Sequence, residues 1–419
     1  MGGVSAPPAD AVLSDTSSLK TRLRRAERMR KVTAFGLVAP LLLFIVITFV
    51  VPIGSMLWRS VDDSELSTVM PHTLATLKKW DGHALPGDES FRALAADLTV
   101  AHDAGTANVA ARRLNYDING LRSLIMTTAR KVPALDSADP RAAFIGLDPR
   151  WGDIATWGAI KRARGPLTDF YLLAAVDLQR DATGAITRTP ADHAIYQDVL
   201  IRTFRISLTV TLLSLVLGFP VAYLLSTQPA KIANILLILV LLPFWTSLLV
   251  RTAAWVVLLQ NEGIVNHLLI WLGIIDHPLR LIYNSFGVHV AMVHVLLPFM
   301  ILPLYATMKA ISPVYMRAAA SLGAPPATAF LRVYLPQCLP GIAAGCLVVF
   351  ILSIGYYITP ALVGGAADQM LSYFIAFFVT DSVNWGMASA LGAVLLTATL
   401  VLYAVYSQLV ASGSVRMKK

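Results

Sequence analysis

Six stretches of the chain are apolar on every helical face, and the polar residues between them collect into one long block and several short ones. Residues 32–57 (VTAFGLVAPLLLFIVITFVVPIGSML) form the first. At about 1.5 Å per helical residue such a run crosses a hydrocarbon core of about 30 Å. It is too long for a signal-peptide core, and no small-residue cleavage pattern follows it in IGSMLWRS. Comparable runs occupy 203–225, 235–259, 286–308, 339–362 and 385–410. The pattern predicts an all-α membrane protein with six transmembrane helices. Its expected divisions are a basic arm over 1–31, a first helix over 32–57, an outside segment over 58–202, a helical core over 203–410 and a short tail over 411–419.

The long polar block lies between the first and second runs. Within it, FRALAADLTVAHDAGTANVAARRLNYDINGLRSLIMTTARKV and DIATWGAIKRARGPLTDFYLLAAVDLQRD repeat their apolar positions at a spacing nearer 3.6 than 2, which predicts helices. DSADPRAAFIGLDPRW between them reads as turns, and residues 1–19 as unstructured. Composition separates the same two regions. Residues 61–199 hold 15 Lys and Arg and 18 Asp and Glu, so about 24% of the block is charged, whereas the remainder of the chain is about 9% charged.

Charge then sets direction. The overall balance is +9, but the excess lies outside the polar block, in an arm carrying Lys20, Arg22, Arg24, Arg25, Arg28, Arg30 and Lys31, in short loops, and at Arg416, Lys418 and Lys419. This distribution excludes a nucleic-acid-binding reading and fits the positive-inside bias against a lipid bilayer. Loops expected inside carry Lys231, Lys309, Arg317 and Arg332 without an acid. Those expected outside carry Glu262, Asp276, Asp368 and Asp381 against Arg280. Both termini are therefore expected in the cytoplasm. The two cysteines, Cys338 and Cys346, form no disulfide framework, and the eight histidines have no metal-ligand spacing.

The chain has no G-x-x-x-x-G-K-[ST] phosphate loop, no H-E-x-x-H and no G-x-S-x-G. Energy for moving a solute must therefore come from a partner or a gradient, and no cofactor or metal of its own is expected. The informative segment is the inner loop over 309–338. Ser312 precedes Pro313 at a helix start, an Ala-rich turn follows, Gly323 suits the left-handed position that closes the helix, and Pro325-Pro326 opens a second helix that Pro336 is expected to stop. The result is a helical hook presented to the cytoplasm.

This loop resembles that of the inner-membrane permease subunits of ABC importers, which reads approximately E-A-A-x-x-x-G, nine residues, then [IV]-x-L-P. Ala318, Ala319, Gly323, Val333, Leu335 and Pro336 match it, while Arg317 stands in place of the usual Glu. The strings LLPFWTSLLVRTAAW, EGIVNHLLIWLGIIDHPLRLIY, LLPFMILPLYATMKAI and LPGIAAGCLVVF are similar to polyamine importer permeases over about half of the chain. The resemblance implies the type I importer permease fold and import of a small solute, polyamine first. It also implies a second permease, two cytoplasmic ATP-binding subunits that consume the ATP, and a periplasmic solute-binding protein. ATP-driven closure would act on this chain through the hook.

Arg251 stands inside the third apolar run, where a charge costs about 2.5 to 3.5 kcal/mol and faces a cavity or partner unless it snorkels to the headgroups. Trp245, Trp255, Tyr356 and Tyr357 suit either a translocation path or gate with cation–π contacts, or an interfacial belt and helix packing. Two other readings stay open: import of another small organic or nitrogenous solute, and a membrane-anchored sensor with an outer ligand domain.

Overall fold

The computed structural model describes residues 9–132, 139–181 and 184–416. Among them, six helices are long and apolar enough to cross a membrane: Ala26–Arg59, Tyr196–Thr227, Leu248–Trp271, Ser285–Ala310, Pro326–Gly355 and Trp385–Gln408. We refer to them as the first to sixth spans. The all-α reading holds, with one antiparallel hairpin, Leu178–Arg180 with Ile186–Arg188, as the exception.

The first span belongs to a separate compact unit, Met1–Trp58. It continues a helix that begins at Ala9, passes Pro40 and widens into a π turn at Val46–Val50. Residues 9–19, expected to be unstructured, thus have helical backbone, and residues 1–8, like 417–419 at the other terminus, lie outside the described residues. The apolar side chains of the first span, including Leu37, Leu41, Phe44 and Phe49, are exposed, as a lipid-facing helix requires.

In the second unit, the second, fourth and fifth spans share a core built around Ile206, Val210, Met292, Leu296, Met300, Leu304, Cys338 and Val349. Small residues set how closely these helices lie. A Cβ on Gly341 would sit 2.6 Å from Thr307 Oγ1, one on Gly345 2.8 Å from Met300 Sδ, and one on Gly218 3.1 Å from Met300 Cγ. Gly341-x-x-x-Gly345 is the small-residue spacing that brings helices together in lipid, where burial of apolar surface drives little.

Two apolar runs turn out to be interrupted. The run over 235–259 divides into Ala230–Leu241, a 3₁₀ turn at Leu242–Trp245, and Leu248–Leu259. Pro243 opens that turn, Thr246 is extended, and Ser247 restarts the helix by accepting the Val250 N–H at 3.2 Å. The run over 339–362 stops as a helix at Gly355. Tyr356 is extended and a separate turn, Ile358–Val363, follows. Composition alone hides both breaks, because every residue around them is apolar or small.

The polar block folds on its own core. Its chain enters and leaves side by side: Asp62 bridges Leu167, Asp63 N–H donates to Pro166 O at 3.0 Å, and Thr168 N–H donates to Val61 O at 2.7 Å. Between these ends, helices bury Leu66, Phe91, Leu98, Leu114, Leu124, Phe144, Trp151 and Trp157 together. Phe91 meets Trp157 edge-on at 4.5 Å, and both indoles are satisfied, Trp151 by Thr128 Oγ1 and Trp157 by the Trp151 carbonyl, each at 3.0 Å. The segment expected to be turns contains a helix, Pro140–Leu147, followed by a 3₁₀ turn at Pro149–Gly152. Asp139 and Asp148 cap the two, each just ahead of its proline. Residues 133–138 lie outside the described residues.

One buried ion pair inside this globule lies against the segment that leads into the second span. Arg113, with no exposed surface, gives Nε to Asp63 Oδ1 at 2.5 Å and Nη2 to Oδ2 at 2.7 Å. Its guanidinium lies 4.8 Å from the Phe170 ring and 5.4 Å from the Tyr171 ring. Burial pushes the Asp63 carboxyl up against the pull of Arg113. Burial alone would lower Arg113, but the same carboxylate raises it. Tyr171 in turn sits on the start of the sixth span, where a Cβ on Gly386 would lie 2.5 Å from its ring.

Removing one partner strands the other charge, so Arg113→Ala is expected to cost about 3 to 5 kcal/mol, whereas Arg113→Met with Asp63→Leu recovers most of it. Denaturant unfolding of the solubilised chain, followed through the near-ultraviolet signal of the buried tryptophans, measures both. Equal midpoints for wild type and Arg113→Ala would show that the pair contributes nothing.

Candidate functional site: the hook and the intramembrane cluster

The hook is a short helix, Val314–Ser321, turned back on the start of the fifth span. Ser312 Oγ accepts the Val314 N–H at 3.4 Å, as its position before Pro313 predicts. The other end is a complete Schellman closure. Gly323 takes φ +80°, its N–H donates to Ala320 O at 2.9 Å, and Ala324 N–H donates to Ala319 O at 3.1 Å. Pro325 and Pro326 then begin Pro326–Ala329, which runs through a π turn, Phe330–Tyr334, into Leu335–Gly355.

The expectation that Pro336 stops this helix is therefore wrong. A proline in an α-helix normally meets the carbonyl four residues before it. The wider turn just ahead of Pro336 relieves that clash, and the helix continues. The hook is thus followed, after the turn over 322–325, by a helix that runs past Pro336 to Gly355.

Sequence reasoning missed the contacts that hold the hook down. Phe330 and Tyr334 stack at 5.5 Å, and Tyr223 of the second span meets Tyr334 edge-on at 5.5 Å and Phe330 at 5.8 Å, with Phe219 6.2 Å from Phe330. The signal was available: Phe330 and Tyr334 stand four apart, on one helical face. Of the residues matched by the loop pattern, Ala319 is buried inside the hook, Val333, Leu335 and Pro336 are half-buried, and Arg317, Ala318 and Gly323 are exposed. Around them Val314, Tyr315, Leu322 and Leu331 expose apolar side chains, Leu322 to 89%. So much apolar surface on one small element is the mark of a docking face.

A second cluster lies within the spans. Trp255 Nε1 donates to His294 Nδ1 at 3.1 Å, the two rings 5.4 Å apart. Arg251, half-buried one helical turn earlier, stands within electrostatic range of His294 and of Tyr356, and its Nε and Nη1 are buried without a hydrogen-bond partner. Beside it Thr252 and Thr359 share a hydrogen bond of 3.2 Å. The structure thus brings Arg251 and Trp255 to His294, which the sequence had not singled out, with Tyr356 within range of Arg251. Trp245, 87% exposed at the break in its helix, and Tyr357, 41% exposed, stay outside that group. No group of three or more metal-ligating side chains occurs among the described residues.

An apolar run broken at Pro243, a bundle drawn together by glycines and an exposed hook define an integral membrane transport subunit. Residues 210–412 match the family of binding-protein-dependent transport system inner membrane components. The chain belongs to that family and is a permease subunit of an ABC importer. It is 36% identical over 196 residues to the spermidine/putrescine transport system permease protein PotB of Salmonella typhimurium (strain SL1344), covering 47% of this chain and 68% of that protein. It is 37% identical over 211 residues to PotB of Haemophilus influenzae, covering 50% and 74%. A bacterial ABC transporter that imports the acidic polysaccharide alginate contains a chain of 20% identity and TM-score 0.41, with 50% of this chain and 78% of that one covered. The family match begins after the polar block.

A β-branched residue at φ +80° opens the Schellman closure at a cost of about 1 to 2 kcal/mol. Gly323→Val is therefore expected to expose the hook and speed tryptic cleavage after Arg317 by about 5- to 30-fold. Unchanged cleavage rates in membrane vesicles would show that the closure is not what orders the hook.

Proposed function

We propose that this chain is the polyamine-conducting permease subunit of its importer, passing putrescine, spermidine or a similar solute from the periplasm to the cytoplasm by alternating access. It works with a second permease, two cytoplasmic ATP-binding subunits that consume the ATP, and a periplasmic solute-binding protein, and has no nucleotide chemistry of its own. Both termini are cytoplasmic in this reading, which the distribution of basic loop residues supports. The solute is suggested by the relatives, which are named for spermidine and putrescine transport.

The observation that carries the mechanism is the continuous helix Pro326–Gly355, with the hook just before it and the tight contacts of Gly341 with Thr307 and of Gly345 with Met300 further along it. A neighbouring ATPase that grips the apolar face around Leu322 moves the fifth span as a lever, and the spans it packs against follow as a rigid body. Ala318, Ala319 and Gly323 shape that face, Val333, Leu335 and Pro336 root it, and Arg317 reverses the charge of the family's usual Glu. Arg251, Trp255 and Tyr356, together with the exposed Trp245 and Tyr357, line or gate the path. Arg251 repels a cation and so serves as a gate or interface residue, not as a ligand.

Uptake of radiolabelled putrescine by cells lacking the native chain tests this. Gly323→Val is expected to lower uptake at least about tenfold, because it blunts the docking face while the spans still insert. Joining residue 62 to residue 167 through a short flexible linker removes a globule whose ends already lie together; the chain still inserts, and uptake falls. Full uptake by an inserted Gly323→Val chain that no longer co-purifies with an ATP-binding subunit would overturn the coupling.

A further inference from the structure

Between the polar globule and the helical core lies a cleft of about 610 Å³. Its globule wall is the segment Asn115 to Asn119 at the end of Ala107–Asp117, with Phe170 and the start of the hairpin. Its core wall is Tyr196 at the head of the second span, Phe378, and Asn384 and Met387 at the start of the sixth. Volume and mouth suit a small organic molecule.

The lining chemistry points to one class. Among the described residues that line it there is no lysine or arginine; the charged lining groups are Asp117 and Asp177, with His193 beside them. Four aromatic rings, Tyr116, Phe170, Tyr196 and Phe378, face the same space. Asp177 is committed, because its two oxygens accept the Tyr196 and Gln197 N–H groups at 3.0 and 2.7 Å and cap the second span. Asp117 is only half committed. Its carboxylate is 6% exposed and Oδ1 accepts Arg162 Nη2 at 2.6 Å, yet Oδ2 is buried without a donor, and so is the Tyr116 hydroxyl. Asp117 lines the cleft among ring faces, and a short amine is a charged donor small enough to enter beside it. An ammonium on an alkyl chain supplies a second donor to the Asp117 carboxylate, the charge for cation–π attraction, and methylenes for the Phe378 and Met387 side.

We propose that this cleft is an alkylammonium-binding site of the permease itself, taking a short linear amine with one ammonium on Asp117. The amine chemistry stands on the cleft alone. Its place on the solute-receiving face rests on the polyamine reading above. Because the globule and the heads of the second and sixth spans supply opposite walls, a bound amine draws them together, so occupancy bears on the spans that must move.

Calorimetric titration of the full-length chain in nanodiscs with 1,5-diaminopentane, and with 1,5-pentanediol as its uncharged analogue, tests this. Saturable binding of the diamine and none of the diol is expected. Asp117→Asn is expected to weaken binding at least about tenfold, and Phe378→Leu, which leaves the Arg162 pair intact, about threefold or more. Equal affinity for the diol, or no diamine binding by a folded chain that still supports putrescine uptake, would overturn the site and leave the polyamine reading standing. Diamine binding sensitive to Asp117 and Phe378, in cells whose importer moves no amine, would uphold the site and overturn that reading.

Discussion

The close approach of the fourth and fifth spans is the constraint on which the rest depends. Lipid tails are as apolar as leucine, so helices in a bilayer gain little by hiding apolar surface and must gain instead by packing closely. Gly341 and Gly345 allow that. One lies against Thr307 and the Pro303 carbonyl, the other against Met300, while Gly218 of the second span reaches Met300 from its own side. Met300 is thus held between two helices, and three spans are locked around a single side chain. A lever needs a stiff pivot, and this contact provides it.

The hook inherits its rigidity from that pivot. A 30-residue helix rises about 45 Å. Motion imposed at the hook is carried toward the glycine contacts along one helix, because the π turn at Phe330–Tyr334 lets that helix pass Pro336 instead of ending there. The four aromatic rings of Phe219, Tyr223, Phe330 and Tyr334 tie the same segment to the second span. The second and fifth spans are therefore joined near the hook as well as in the bundle core.

Much of this was legible in the sequence wherever one physical preference dominated. Long apolar runs announced six spans, the Ser-Pro start and Gly323 announced the hook, and the charge content of residues 61–199 announced a globule with its own solvent-facing surface. What failed was the fine geometry inside apolar stretches. Pro243 breaks one run and Tyr356 ends another, but neighbours of uniform hydropathy give no periodic signal to mark the place. Pro336 misled in the opposite direction, since a local rule about proline was overridden by a turn five residues wide. The intramembrane cluster was half legible: Arg251 stood out as a charge, whereas His294, neutral in composition counts and far along the chain, was found only where Trp255 meets it.

The charges inside and outside the bilayer argue for a division of labour. The carboxylates of the six spans, Glu27, Asp198 and Glu262, lie at span starts or at the turn between Leu259 and Ile264, whereas Arg205 and Arg251, each inside an apolar run, are positive. A cation crossing such a bundle finds ring faces and hydroxyls but no counter-ion to hold it. Conduction favours this, because a solute held tightly midway would not leave. Any firm grip on a cation must then come from outside these spans, where Asp117 and its aromatic walls stand. In the mechanism proposed above the bundle needs only to open in turn, and the close packing of three spans around Met300 lets one stroke at the hook open it.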